Sequence, residues 1–458
     1  MSVTEIDQQI GIEAYVTKTE DVGGAIRRKV EDFIVEEVLA DGSKASVQQV
    51  SVKPPLGASE DRRRFLLCVL VKRNWDTFVA IKNVAKQLGI SQSRVQIAGI
   101  KDAKAITAQH ITIEDVSAQE VANVSIKDIE LRPLGYFREK LSPFYLLGNS
   151  FRITVKAINL PKVTVEERTQ KAMVELAGVG GIPNFYGHQR FGTTRAITHL
   201  VGKALVTGDL EKATMLFLAK PSMHEHPESM RARTELWVEK EFKRAFREFP
   251  MQLRFERLML AHLAENPTDF AGAFRRLPLK LQLLFVQAYQ SYLFNRFLSQ
   301  RILSGLPLNG VVAGDFVVNV ERSSLPMVHT GKIVDETKLA DVNEQIQAGK
   351  IRLALPIVGF GQRLSMGEVG EMQHRVLDKE GVEPQNFRVD VLPEVRCRGE
   401  LRAAVAPVRN FSFDMVSPDE ENPGAQKVQL QFFLLRSSYA TVLLREVMKP
   451  RDLIAAGF

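Results

Sequence analysis

The sequence predicts an α+β chain, with β-rich segments at both ends and a mainly helical, mixed block between them. Three observations predict it. Short runs of β-branched and large apolar residues alternate with polar segments from Ile26 to about Ile158. Apolar faces with a period near 3.6 dominate the middle of the chain. Strict alternation then returns in Val428, Leu430, Phe432 and Leu434.

Taken in order, Phe33-Ile34-Val35 and Phe65 to Val71 read as strands. Thr77 to Leu88 reads as an amphipathic helix on Phe78, Ile81, Val84, Ala85 and Leu88, with Gly89 as its stop. Val95 to Ile97 and Ile111 to Ile113 are short strands flanking a turn. Phe151 to Val155 alternates as a half-buried strand. Val163 to Leu176 is a charged helix ended by the glycines 178, 180 and 181. Thr194 to Val206, Thr234 to Phe249, Arg254 to Glu265 and Leu279 to Leu303 read as helices. Strand character returns after Asn309 in a mixed region reaching about Phe387. A helix from Tyr439 to Met448 follows the last strand, with Pro450 just past its end. A middle block of different composition suggests a domain inserted into a loop of another.

Hydrophobic residues make up 45% and charged residues 25% of the 458, which is globular usage and excludes global disorder. Sixty-one Lys and Arg against 54 Asp and Glu give a net charge of +7, which fits an anionic partner such as nucleic acid. Cys68 and Cys397 are the only cysteines, too few for a disulfide framework or a four-cysteine zinc site. The N-terminal residues lack a basic segment followed by an apolar one, and no apolar run approaches the ~20 residues of a membrane span. A reducing cytoplasm is the expected compartment.

Common nucleotide, metal and hydrolase signatures are missing. There is no GxxxxGK[ST] loop, and Gly359-Phe360-Gly361 lacks the third glycine of a dinucleotide site. His224 and His226 flank Glu225 with no further ligand pattern. No Gly-x-Ser-x-Gly elbow occurs.

Three segments carry more polar, aromatic and glycine residues than packing requires. In Ala98 to Gln109 a strand reaches a glycine turn that presents Asp102 between Lys101 and Lys104, whose charge should keep the carboxylate ionised. In Gly181 to Gly192, three aromatics, Asn184, Gln189 and Arg190 sit between glycines, a composition able to stack a base and hold its edge and phosphate. In Val22 to Glu37 the basic run Arg27-Arg28-Lys29 meets a strand edged by acids. Arg62-Arg63-Arg64 and Lys72-Arg73-Asn74-Trp75 add positive charge. Each also has a purely structural reading, as solvated surface or core-plugging loop.

Together these segments resemble the TruD family of pseudouridine synthases. Glu31-Asp32-Phe33-Ile34-Val35-Glu36 resembles EDFxVxE, and Ala98 through Gln109 resembles AGxKDxxAxTxQ. Gly148-Asn149-Ser150-Phe151 is similar to GNxF, and Pro183 to Gly192 to PNYFGxQRFG. Ala288 to Asn295 resembles AxQSxxxN, and Ser438-Tyr439-Ala440-Thr441 with Arg445-Glu446 resembles GSYATxxxRE. Six motifs in family order span nearly the whole chain.

The resemblance implies a pseudouridine synthase catalytic domain with a mixed, mainly antiparallel sheet, plus an inserted α+β TRUD-type domain. The expected boundaries are 1–183 and 401–458 for the catalytic domain and 184–400 for the insertion. It implies isomerisation of uridine to pseudouridine in tRNA, at position 13 of the D-stem, after base flipping and with no redox, nucleotide or metal cofactor. A non-catalytic RNA-binding or RNA-folding protein on the same scaffold is the alternative. Oligomeric state stays open.

By resemblance, Asp102 matches the catalytic aspartate, acting either as a covalent nucleophile or by removing a ribose proton. Arg27 falls where the family commonly has Lys and would pair with Asp102, with Arg28 or Lys29 as other candidates. Tyr186 takes the position of a stacking Phe. Asn184 would bind the target nucleotide, and Gln109 would brace the Asp102 loop. Val30 stands for the family's usual Pro, and Ser437 for the glycine of GSYAT.

Overall fold

The structure, a computed structural model, describes residues 2–48, 55–61, 63–192 and 194–458. Arg62 of the basic run lies outside the described residues. The chain packs as two compact units. One comprises Thr17–Ile182, Arg322–Leu325 and Ala406–Phe458; the other comprises Met1–Val16, Pro183–Glu321 and Pro326–Val405.

The first unit is built on a mixed sheet of nine strands among the described residues. Its N-terminal strands are β1 (Phe33–Leu39), β2 (Phe65–Arg73), β3 (Val95–Ile97), β4 (Ile106–Glu114), β5 (Ile129–Phe137) and β6 (Leu146–Ile158). The order is Val408–Phe413, Gln426–Leu435, β6, β1, β4, β2, β5, with β3 paired to β4 and the short strand Ser417–Pro418 paired to Gln426–Leu435. Only β1 and β4 run parallel among these pairs, with Ile34 opposite Ile106. The α+β class and the mainly antiparallel sheet agree with the sequence reading.

Central β4 is buried at every position from Ile106 to Ile113, so both its faces are covered. On β2, Leu66, Cys68 and Leu70 lie in a cluster with Ile81, Ala85, Val95, Ile111 and Ile113. The helix Thr77–Gln87 supplies Ile81 and Ala85. It starts because the Asp76 carboxylate accepts from the amides of Phe78 and Val79. Phe78, read from the sequence as part of the buried face, is instead 52% exposed.

β5 was not legible because Pro133 and Gly135 interrupt it. It lies at the sheet edge, where a proline costs no ladder hydrogen bond, and its register with β2 shifts between Leu67 and Cys68. The helix Ala440–Met448 closes the unit, entered through Ser437 at φ 67°, a left-handed backbone where the family has glycine.

The second unit carries most of the helices and a four-stranded sheet ordered Glu400–Ala403, Ile351–Ile357, Phe316–Val320, Pro326–Ile333. Helices Arg254–Glu265 and Leu279–Leu303 occupy the expected spans. The expected helix Thr234–Phe249 is two helices, Pro227–Glu239 and Phe242–Glu248. Lys240 takes a left-handed φ of 56° and breaks them apart. The chain's first residues dock on the long helix. Asn295 donates to the Ile10 carbonyl at 2.9 Å, and Ser299 to that of Gly11 at 2.9 Å.

Candidate active site

The loop between β3 and β4 presents Asp102 on a backbone held from several sides. Gln109, buried on β4, donates from Nε2 to the Gly99 carbonyl at 3.0 Å. The hydroxyl of Thr77, first residue of its helix, donates to the Lys101 carbonyl at 3.0 Å and accepts from the Lys101 amide at 3.2 Å. Lys72 at the end of β2 donates from Nζ to the Asp102 carbonyl at 2.6 Å.

The Asp102 side chain is 35% exposed. Its Oδ1 accepts from Arg27 Nη2 at 3.0 Å, and its Oδ2 makes no hydrogen bond among the described residues. Arg27 Nη1 holds the Gly457 carbonyl at 3.0 Å, and the guanidinium lies 4.1 Å from the centre of the Phe33 ring. Burial draws the Arg27 pKa below its ordinary value against the opposing pull of Asp102. The result is one fixed carboxylate oxygen and one open to solvent.

Of the three candidate cations, Arg27 is the one the structure places on Asp102. Arg28 is exposed, and Lys29 pairs with Glu421. Lys101 does not serve Asp102 as the sequence suggested. Its ammonium lies 2.6 Å from Glu37 Oε2, both groups buried, and Glu37 Oε1 also accepts from the His110 amide at 2.9 Å. Burial pushes the Glu37 carboxyl up, but the hydrogen bond of the His110 ring, whose Nδ1 lies 3.3 Å from Oε1, and the Lys101 charge prevail and hold it below the usual range. Lys104 is exposed.

The other unit carries the aromatic loop. Tyr186 is half-buried, and its backbone is clamped by Asn295. The amide of Tyr186 donates to Asn295 Oδ1 at 2.8 Å, and Asn295 Nδ2 donates to the Tyr186 carbonyl at 3.1 Å. Arg402 lies with its guanidinium carbon 4.1 Å from the ring centre, and Phe294 packs edge-on at 5.6 Å. Asn184 is only 8% exposed. Its Nδ2 donates to the Ala403 carbonyl at 2.9 Å, and its Oδ1 accepts from Arg402 Nη2 at 2.7 Å. The Asn184 amide therefore serves the protein, orienting Arg402 over Tyr186, rather than standing open to a nucleotide.

Sequence reasoning missed two cations. Lys72 was grouped with a surface basic run, although its parity with Leu66, Cys68 and Leu70 places it on the buried face of β2. Arg402 was passed over, although an arginine within Leu401-Arg402-Ala403-Ala404-Val405 signals a buried, partnered guanidinium.

Of the two histidines that flank Glu225, one has a structural use. His226 caps the helix Pro227–Glu239, accepting from the Glu228 amide. No helix among the described residues is long and apolar enough to cross a membrane.

Comparison with known proteins converges on one family. The model of tRNA pseudouridine synthase D (TruD) matches residues 9–447. The chain is 39% identical over 452 residues to a probable tRNA pseudouridine synthase D of Methanosarcina acetivorans, covering 98% of each chain. It is 35% identical over 435 residues to one of Thermococcus onnurineus, covering 95% of this chain and 97% of that one. A crystal structure from Methanosarcina mazei, described as a candidate tRNA pseudouridine synthase D, superposes with a TM-score of 0.84 at 37% identity, over 98% of this chain and 99% of that one. With the six motifs in order, the mixed sheet and a match along nearly its full length, the chain belongs to the TruD family of tRNA pseudouridine synthases.

Proposed function

We propose that this isomerase converts uridine to pseudouridine at position 13 of the tRNA D-stem, with Asp102 as its essential carboxylate. The pairing of Arg27 with Asp102 on a loop pinned at Gly99, Lys101 and Asp102 carries the reading. It leaves a single oxygen, Oδ2, open beside a fixed cation.

The reaction breaks the N1–C1′ bond, turns the uracil and joins C5 to C1′, after which C5 loses its proton. The base first leaves the stack, at a cost of a few kcal/mol. Asp102 Oδ2 either bonds to the substrate or accepts a ribose proton, while Arg27 keeps Oδ1 oriented through both steps. By the family resemblance Tyr186 is the residue that stacks on the uracil, with its hydroxyl joining the later loss of the C5 proton. Asn184 acts through Arg402 as a positioning residue, and Gln109 braces the loop. The unit holding Asp102 is read as the catalytic domain and the other unit as the inserted domain.

Carbodiimide primer extension on bulk tRNA, comparing wild type with Asp102→Asn, tests this. A new stop one nucleotide 3′ of position 13 that needs Asp102 supports the reading. Full conversion by Asp102→Asn rejects it, and a stop elsewhere rejects the assigned position.

A further inference from the structure

Lys72 is wholly buried at the end of β2, yet no carboxylate lies in ion-pair contact with it among the described residues. Its Nζ donates instead to two backbone carbonyls, Trp75 at 2.7 Å and Asp102 at 2.6 Å. Register sets Lys72 opposite Thr107 and Leu70 opposite Gln109. Directly opposed residues of an antiparallel pair share a face, so Lys72, Thr107 and Gln109 line the same side of the sheet. Two of them, Lys72 and Gln109, hold carbonyls of the 99–102 loop.

Burying an ammonium costs several kcal/mol unless its charge is used. A neutral amide ties two carbonyls without that cost. What an ammonium adds here is positive charge next to the residue that bears the reactive carboxylate. We infer that Lys72 is a positioning residue for the reaction, fixing the Asp102 backbone from within the sheet and placing a positive charge beside it. The inference rests on the reading of Asp102 as the essential carboxylate.

The charged groups that face Lys72 are Asp102 and Asp76, which favour its charged form, and Lys101, which opposes it. Packed against it from β4 and β5 are the uncharged Thr107 and Ile129. Burial outweighs these charges and brings the Lys72 pKa down to about 8. The charge is thus present at neutral pH and lost in mildly alkaline solution, whereas an arginine keeps it.

The test uses the full chain as wild type, Lys72→Met, Lys72→Arg and Asp102→Asn. Three readouts are taken: single-turnover tritium release from 5-tritiated-uridine tRNA between about pH 6.5 and 9.5, tRNA affinity, and hydrogen exchange of amides 99–105. Lys72→Met is expected to lose about 30–100-fold in rate, with tRNA affinity within about threefold, and to exchange the loop amides at least about tenfold faster. Wild-type rate should inflect near pH 8, and Lys72→Arg should remove that inflection while keeping at least about a tenth of the rate. A Lys72→Met rate within about threefold of wild type, a Lys72→Arg inflection still near pH 8, or unchanged loop exchange overturns the inference. If Lys72→Met does not fold, Lys72→Arg and its pH profile decide. If Asp102→Asn is fully active, the reaction reading fails separately, and loop exchange still decides whether Lys72 holds the loop.

Discussion

Arg27 bridges Asp102 and the chain's C-terminal segment, with Nη2 on Asp102 Oδ1 and Nη1 on the Gly457 carbonyl, each at 3.0 Å. It does so from a left-handed backbone at φ 55°. Two divergent acceptors suit a planar fork better than a single ammonium. Arg27→Lys should therefore retain partial activity, lowered about 3–30-fold, whereas Arg27→Met should lose about a hundredfold or more. Single-turnover rates on tRNA check this. An Arg27→Met enzyme at wild-type rate removes Arg27 from the site.

Asp102→Asn keeps the shape of the side chain and removes its charge. It should abolish conversion while leaving tRNA affinity within about tenfold, because phosphate contacts elsewhere supply most of the binding. A filter-binding titration beside the conversion assay separates the two. A loss of affinity as large as the loss of rate would show Asp102 to be a binding residue rather than the reacting one.

Much of this was legible in the sequence, for physical reasons that differ by residue. Asp102 drew attention as an acid presented by a short strand and a glycine turn, but a Lys-Asp pair in a turn fits solvated surface equally well, and only the match of Ala98 through Gln109 to AGxKDxxAxTxQ singled it out. The pairing of Lys101 with Glu37 was hidden because it joins residues on β1 and the β3–β4 loop, 64 positions apart. Local charge order suggested that Lys101 and Lys104 act on the Asp102 carboxylate, and tertiary packing gave the Lys101 ammonium to Glu37 instead. Lys72 was recoverable from period-2 parity, which outranks composition within a strand. The break at Lys240 was not recoverable, since lysine gives no sign of a left-handed backbone. The engagement of the Asn184 amide depends on Arg402, more than 200 residues away, which no local pattern reveals.

Asn295 predicts a stability effect at a distance from the chemistry. Its fully buried amide contacts the Tyr186 amide and carbonyl and the Ile10 carbonyl. Asn295→Ala removes three hydrogen bonds and should cost about 2–4 kcal/mol in urea unfolding of the full chain. Arg402→Met should cost less than Asn295→Ala in stability but more in conversion rate, because it frees the Tyr186 ring without freeing its backbone. If the two variants lose rate equally when fully folded, the ring's orientation by Arg402 does not matter to the reaction.

The buried Glu37–Lys101 pair makes a prediction with a defined pH sign. Glu37 is held below its ordinary pKa in the folded chain, so an unfolded chain binds its proton more readily. The stability it contributes is complete above the unfolded value of about 4.3 and is lost as pH falls through the lower folded value. Glu37→Gln strands the Lys101 ammonium and should cost about 3–5 kcal/mol at neutral pH. Because the variant has no carboxyl to protonate, the gap between wild type and Glu37→Gln should be constant from about pH 7 to 5 and narrow below about pH 4. Urea unfolding at each pH measures it. A gap that stays constant to pH 3 would show that the pair does not hold Glu37 ionised. The same variant should also slow conversion, since Lys101 immediately precedes Asp102 and its anchoring helps to set where the carboxylate points.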